Sequence, residues 1–429
     1  MCAKFHRQLL IRFPVSLSLF KNMKTTIIGI IKEGKVPPDF RVALTPKQCK
    51  AVEILYPEVK IHVQRSPIRT FKDEEYEKEG ILLVDSVENC DIIIGVKEVN
   101  ISDLVPNKTF LFFSHTIKKQ AYNQQLLKSI LDKKIRLVDY EVIKDKNNKR
   151  LIGFGRYAGI VGTYNGFLTW GLKNDSYQLK PANQCTNRIE VESELKKVHL
   201  PANFKCILTG FGRVGHGARE IMDLLPIKEV TPDEILTKEF NEPVFAHLEL
   251  EDYYAPIDGA TFDKKEFYSY PEKYKSILSR FVSKVDMYIP CHFWSSKSPI
   301  ILSQEELMQE NRKLAVVADI SCDIAGPIAC TIRPSKISDP IYGYDPRTGE
   351  EVDYKSENAI AVMAVDNLPC ELPKDASEDF GNELIKHVLP ALLREDPDAI
   401  ISRGSETNLS GQLTEYFAYL QEYVDGVIE

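Results

Sequence analysis

The stretch 204–225 reads FKCILTGFGRVGHGAREIMDLL, and how it folds decides the architecture. An apolar run, CILT, leads into Gly210-Phe211-Gly212-Arg213-Val214-Gly215, and a helical pattern, AREIMDLL, follows at once. A bare GxGxxG is a weak signal, but between a strand and a helix it has a mechanism. Gly210 permits the tight turn, Gly212 lets a pyrophosphate approach the backbone, and Gly215 lets helix and strand pack closely. The helix start at Arg213 and Val214 turns free N–H groups and the positive end of its dipole toward phosphates. The stretch predicts a dinucleotide-binding βα turn, with Arg213 as a further cation beside the phosphates.

Working outward, strands and helices alternate from Met23 onward. TTIIGII reads as a strand, PKQCKAVEIL as a helix capped by Thr45, and KIHVQ, DIIIGV, TFLFFS and RLVDYEVI as strands. AYNQQLLKSILDKK is amphipathic, with Leu126, Leu127, Ile130 and Leu131 on one side. After the glycine loop, IKEV, VDMYIPC, KLAVVADIS and IAVMAVD continue the rhythm. DASEDFGNELIKHVLPALL reads as a helix capped by Asp375, with Glu378 closing a capping box. The fold class is α/β, with two Rossmann-like doubly wound parallel sheets. The expected boundaries are 23–158 for a first domain, completed by 366–429, and 159–365 for the dinucleotide domain. AGIVGTYNGFLTWGL reads as a buried helix connecting the two. Residues 232–283, rich in Glu, Asp, Tyr and Lys, read as an insertion without a sheet strand.

The chain has 429 residues, 43% apolar and 27% charged, with a formal net charge of −7. Residues 1–22 hold Lys4, Arg7, Arg12 and Lys21 and no acid, so the rest carries −11. An acidic body argues against nucleic-acid binding, which needs a basic surface. No apolar run approaches the ~20 residues of a membrane span, and no membrane partner is expected. The basic, acid-free opening reads as a targeting peptide or as sequence upstream of a start at Met23. The first reading implies a mitochondrial location, the second the cytoplasm, which is favoured. Nine cysteines without CxxC spacing support neither zinc nor a disulfide framework, so no metal is expected.

Polar residues at strand ends carry the chemistry. Lys97 ends DIIIGVKE, His115 ends LFFSHT, Arg41 lies in FRVALTP, and Arg150 precedes LIGFGRYAG. Ligands of open parallel sheets bind at carboxyl strand ends. Lys97 and His115 suit the oxidation of an amine. Hydride leaves carbon for a nicotinamide, water adds to the iminium, and the carbinolamine collapses to ketone and amine, which needs two proton-transfer groups. Arg41 and Arg150 suit bidentate capture of carboxylates. NAD or NADP is decided at the end of the next strand. With Glu229 inside IKEV, Thr231 at its tip and Asp233 beyond, no plain acid stands there, and the reading leans to NADP.

FRVALTP, DIIIGVKE, FFSHTIKKQ, RLVDYE, GFGRYAGIVG, VADISCDIAG and AVDNLPCELPKDASEDFG occur in this order. With them the chain resembles the alanine dehydrogenase/transhydrogenase N-terminal superfamily. Within it, the chain resembles the lysine-forming saccharopine dehydrogenases, and more closely the lysine–2-oxoglutarate reductase half of the bifunctional enzyme of lysine breakdown. The resemblance implies two Rossmann-like domains around a cleft and an acid–base pair, Lys97 and His115. It places Arg41, Gln120, Arg150 and Phe154 on substrate positions and Glu141 on a carboxylate near the pair. It places Gly212 and Arg213 on the pyrophosphate loop, and Cys291, His292, Asp319 and Ser321 on segments flanking the nicotinamide. The implied reaction is reversible cleavage of saccharopine to L-lysine and 2-oxoglutarate with NAD(P), the one step expected of a chain ending at Glu429. A homo-oligomer is compatible with it. Two alternatives stay open: another amino-acid dehydrogenase of the superfamily, and a non-catalytic dinucleotide sensor, which would not need Lys97 and His115.

Overall fold

The computed structural model describes residues 25–426. The leader reading for 1–22 lies outside the described residues. The chain forms two compact units, the first made of residues through Pro38, Ala43–Ile143 and 395 onward, the second of Asp39–Val42 and Lys144–Arg394.

The first unit is built on six parallel strands, β1 (Thr26–Ile30), β2 (Val59–Gln64), β3 (Leu82–Val84), β4 (Ile92–Ile94), β5 (Thr109–Phe112) and β6 (Arg136–Asp139). Their order is β3-β2-β1-β4-β5-β6. Ile28, Ile93, Ile94, Phe110 and Leu111 are fully buried, as expected of parallel strands covered on both faces. Helix α1 (Pro46–Leu55) starts where the sequence placed it. Thr45 accepts from the Gln48 amide, and the Gln48 side chain accepts from the Thr45 amide at 3.0 Å, a box worth about 1 kcal/mol. Helices α2 (Asp73–Lys78) and α3 (Ala121–Asp132) follow, and α3 buries Leu126, Leu127 and Ile130. The sheet order reverses between β1 and β4, so the carboxyl ends of these strands form a switch point. The open edge of β6 is covered by residues 405–407. Glu406 donates its amide to the Leu137 carbonyl at 2.8 Å, and Val138 bridges Ser405.

The second unit opens with α4 (Gly155–Lys173), buried on almost every face. This is the helix expected to connect the domains. It instead lies wholly within the second unit, as part of its core. After α5 (Arg188–Glu194) come β7 (Lys205–Thr209) and α6 (Arg213–Met222). Glycines bring α4 and α6 together: a Cβ on Gly159 would lie 2.0 Å from the Val214 carbonyl oxygen. The remaining strands are β8 (Lys228–Glu229), β9 (Val244–Leu248), β10 (Tyr254–Pro256), β11 (Tyr274–Ser276), β12 (Met287–Pro290), β13 (Val316–Ala318), β14 (Ile341–Asp345), β15 (Glu350–Val352) and β16 (Ile360–Met363). The main sheet runs β15-β14-β16-β13-β12-β7-β9-β8. Its β16-to-β8 part is parallel, β14 and β15 add antiparallel, and the order reverses between β7 and β12.

Several expectations are corrected. Residues 232–283 do contain a sheet strand: VFAHL is β9, paired with β7 from Lys205↔Val244 to Thr209↔Leu248. Polar flanks and His247 concealed it. The remainder of that segment pairs β10 with β11 around a cluster of Tyr254, Phe262, Phe267 and Tyr274. Asp375 is not a cap. The helix Pro373–Glu383 begins earlier because Pro373 fits its first position, and the Asp375 carboxylate accepts from the Arg188 amide at 3.2 Å. The units divide at 143/144 and 394/395, so this helix belongs to the second unit.

Candidate functional site

In the first unit, Lys97 and His115 follow the neighbouring strands β4 and β5 at their carboxyl ends. The Glu33 carboxylate, beyond β1, accepts from the amides of Val96 at 2.7 Å and Lys97 at 2.9 Å, pinning the backbone of Lys97 to the switch point. Glu98, the next residue, faces His115. Its Oε1 lies 2.5 Å from His115 Nδ1, and its Oε2 accepts from Lys35 Nζ at 2.9 Å. Burial pushes the Glu98 carboxyl up, but the hydrogen bond and charge of His115 and the contact with Lys35 outweigh it and hold Glu98 at about 2. Glu98 is therefore a carboxylate throughout the neutral range. It fixes Nδ1 of the imidazole, so that any proton exchange by this ring would run through Nε2.

His115 sits in the left-handed region at φ 56°. A non-glycine residue there costs about 1 kcal/mol, so the turn must be held from outside. Gln120 occupies the position before α3, where its side chain accepts from the Tyr122 hydroxyl at 2.7 Å. Glu141, just past β6, lies 3.9 Å from Lys118 Nζ.

In the second unit, a cavity of about 860 Å³ opens at the β7/β12 switch point. Gly210, Gly212, Arg213, Val214, Cys291, His292 and Ser321 all line it. Gly210 has φ 95°, and a Cβ there would lie 2.5 Å from the Cys291 carbonyl oxygen. Gly215 packs under the turn, its missing Cβ 1.9 Å from the Gly210 carbonyl oxygen. Nothing stands within 4 Å of a Cβ on Gly212, which leaves that side of the loop open to a ligand. His292 is buried and its imidazole is pushed down to about 4 by burial, so it is neutral. Its Nδ1 meets Thr209 Oγ1 at 2.8 Å, whereas Nε2 has no partner among the described residues. An unsatisfied buried polar atom costs about 1–3 kcal/mol, which a ligand in the cavity would recover. The open loop, the helix start and this imidazole fit a dinucleotide.

Other expected residues stand elsewhere. Thr231 caps α7 (Pro232–Thr237) beyond β8, two strands from β7, and does not line the cavity. The strand next to β7 is β9, and the residue at its tip is Glu249, which does line the cavity. Asp319 is fully buried, accepts from Thr331 Oγ1 at 2.6 Å, and is pushed up to about 6 by burial. Arg213 donates to the Leu151 carbonyl at 2.6 Å and to Glu383 at 2.8 Å. Arg41 does not present an open fork: Asp39 accepts from its Nε at 3.0 Å and its Nη2 at 2.6 Å, and its guanidinium lies 4.1 Å over Phe154. Phe154 stacks on Phe380 at 4.4 Å. Arg150 donates Nε to the Ile152 carbonyl at 3.0 Å. Sequence reasoning missed Glu33, Glu98, His247 and Glu249. Glu98 was legible inside the quoted VKE motif. His247 holds the Gly210 carbonyl at 2.8 Å and stacks on Phe211, but required recognition of β9.

Residues 29–161 match the sequence model of the alanine dehydrogenase/PNT N-terminal domain. Over 93% of its length the chain is 29% identical to the alpha-aminoadipic semialdehyde synthase of Arabidopsis thaliana, of which it spans 42%. It is 26% identical to the saccharopine dehydrogenase [NAD(+), L-lysine-forming] of Yarrowia lipolytica, over 83% of this chain and 89% of that one. The solved structure of an L-alanine dehydrogenase superposes with a TM-score of 0.61 at 15% identity, covering 94% of this chain and all of that one, a likeness of fold. The chain spans less than half the length of the semialdehyde synthases it matches.

Proposed function

Taking the alanine dehydrogenase/PNT match as the premise, we propose that this chain is a nicotinamide-dependent saccharopine dehydrogenase of the lysine-forming type. It converts saccharopine, oxidised dinucleotide and water to L-lysine, 2-oxoglutarate, reduced dinucleotide and a proton, reversibly. The observation that carries the reading is the Lys97–Glu98–His115 arrangement at the switch point of a unit that matches this family. A dinucleotide sensor has no use for it.

Gly210, Gly212, Val214 and the α6 N-terminus would hold the pyrophosphate, and Cys291, His292 and Ser321 the nicotinamide end. When bound, the nicotinamide supplies the hydride acceptor for oxidation and the donor for reduction. The chain's own groups move the protons. The secondary amine of saccharopine must be neutral to lose hydride, and the water that adds to the iminium carbon must lose a proton. The carbinolamine then needs a proton on nitrogen as the C–N bond breaks. Lys97 and His115 perform these transfers, with His115 acting through Nε2 while Glu98 steadies Nδ1. Arg150 remains the candidate anchor for a substrate carboxylate. Arg41, neutralised by Asp39, shapes the surface around Phe154.

Glu249 favours NAD over NADP, the reverse of the lean from sequence. A carboxylate at the tip of the strand beside the glycine-loop strand accepts from a ribose 2′-OH and repels a 2′-phosphate. The test is the rate of oxidation of NADH and of NADPH by purified protein with lysine and 2-oxoglutarate, with ammonium and pyruvate as a control pair. Oxidation with lysine and 2-oxoglutarate is expected, faster with NADH. Oxidation only with the control pair would assign a different dehydrogenase.

A further inference from the structure

The turn that holds His115 rests on a buried polar cluster that the reaction above does not use. Ser114, Thr116, Asp139 and Glu406 are each fully buried. Ser114 and Thr116 flank His115 on either side in sequence. Asp139 accepts from the Ser114 amide at 3.0 Å and from its hydroxyl at 2.5 Å. Glu406 accepts from the Thr116 hydroxyl at 2.5 Å, and its Oε1 lies 3.2 Å from Ser114 Oγ. The Thr116 amide in turn donates to Ser114 Oγ at 3.1 Å. Glu406 arrives from far along the chain, on the segment that covers the edge of β6. Thr407 locks that segment in place, donating to the Ile135 carbonyl at 2.6 Å and accepting from the Leu137 amide at 3.0 Å.

We propose that Glu406 is a positioning residue of the acid–base site: through the hydroxyls of Ser114 and Thr116 it holds the left-handed backbone of His115 and so aims the imidazole. The inference rests on the reading of His115 as a proton-transfer group. Its physical basis is the φ of 56°, which an unsupported histidine turn would relax, and the two hydroxyl anchors that straddle this one residue. The Glu406 and Asp139 carboxyls hydrogen-bond to each other, and burial pushes both upward, so the pair keeps a proton. Glu406 therefore works as a neutral, hydrogen-bonding group, and its amide should replace it. Burying a second full charge beside Asp139 would be costly. A segment near the end of the chain thus governs a residue at the end of β5.

The test compares Glu406→Gln, Glu406→Ala and Thr116→Val in the full chain. Thr116→Val removes one anchor and keeps the volume, so it serves if Glu406→Ala does not fold. For Glu406→Ala and Thr116→Val, kcat should fall about tenfold or more, as small misplacements of a proton-transfer group do, while KM and dinucleotide affinity stay within about twofold. Glu406→Gln should retain kcat within about threefold. The NMR signals of the His115 ring, assigned by their loss in His115→Asn, should move in the first two variants and not in Glu406→Gln. Unchanged kcat and unchanged ring signals in folded Thr116→Val, or a Gln variant as damaged as Ala, would overturn the proposal. If the wild type turns over none of the substrates, the functional reading fails separately, and the ring signals still decide whether Glu406 positions His115.

Discussion

Glu98→Gln is the substitution from which most can be read. It preserves shape and one hydrogen-bonding oxygen, and removes the charge that faces His115 Nδ1 at 2.5 Å and Lys35 Nζ at 2.9 Å. The carboxyl is held at about 2 against an ordinary value of 4.5. At about 1.4 kcal/mol per pKa unit, that gap corresponds to about 3 kcal/mol of net favourable interaction, shared between His115 and Lys35. The Glu98 side chain is only 12% exposed, so little is lost to solvent screening. Its folded value is depressed, so the contribution is fully present above about pH 4.5. It is lost as pH falls toward 2. Urea unfolding should therefore show the variant less stable than wild type by about 1–3 kcal/mol at pH 7, with the gap less than half as large at pH 3. In the lysine-dependent assay, if about half of that interaction belongs to His115, kcat/KM should fall roughly 10- to 100-fold with dinucleotide affinity unchanged. A variant as stable as wild type at pH 7, or a gap that widens in acid, would refute the reasoning about the carboxylate. Full activity would refute its role in orienting His115.

Four further substitutions test separate parts of the account. Lys97→Met should lower kcat by about 10²–10⁴, the range for a general acid–base group, while titration with NADH finds the same affinity. Equal loss of affinity would make Lys97 structural. Gly212→Ala should keep its melting temperature, since a Cβ there meets nothing within 4 Å, and weaken dinucleotide binding about tenfold or more. Gly215→Ala should instead melt several degrees lower, because its Cβ would lie 1.9 Å from the Gly210 carbonyl oxygen at a cost of about 1–3 kcal/mol. Glu249→Ala should lower the NADH-to-NADPH ratio of kcat/KM by about tenfold or more, the worth of a charge-assisted hydrogen bond. An unchanged ratio would remove Glu249 from the ribose site.

The glycine loop and the first unit were legible because each element there carries its own signal. A β-branched run, the Thr45–Gln48 box and an amphipathic α3 each read locally. What sequence reading missed depended on pairing. VFAHL is five residues between polar flanks, and only its register with β7 makes it the strand that ends at Glu249. The reading of Thr231 as the tip of the next strand has the same source: Thr231 caps a helix beyond an edge strand. Arg41 read as an open cation because its partner Asp39, two residues away, was not weighed. Glu406 reaches the His115 turn across 290 residues of sequence, and no periodicity reports such a contact. Arg41 and Arg213 are largely answered by Asp39 and Glu383, so a dinucleotide in the proposed site would rely on helix-terminal amides and a neutral His292 as well as on cations.

The central claim is that this chain joins lysine to 2-oxoglutarate at the expense of a reduced nicotinamide. Mass analysis of a reaction with purified protein, lysine, 2-oxoglutarate and NADH tests it most directly. The account predicts saccharopine in amounts equal to the NADH oxidised, with both substrates required and almost none formed by Lys97→Met. NADH oxidation without saccharopine, or no oxidation of either NADH or NADPH, would contradict it.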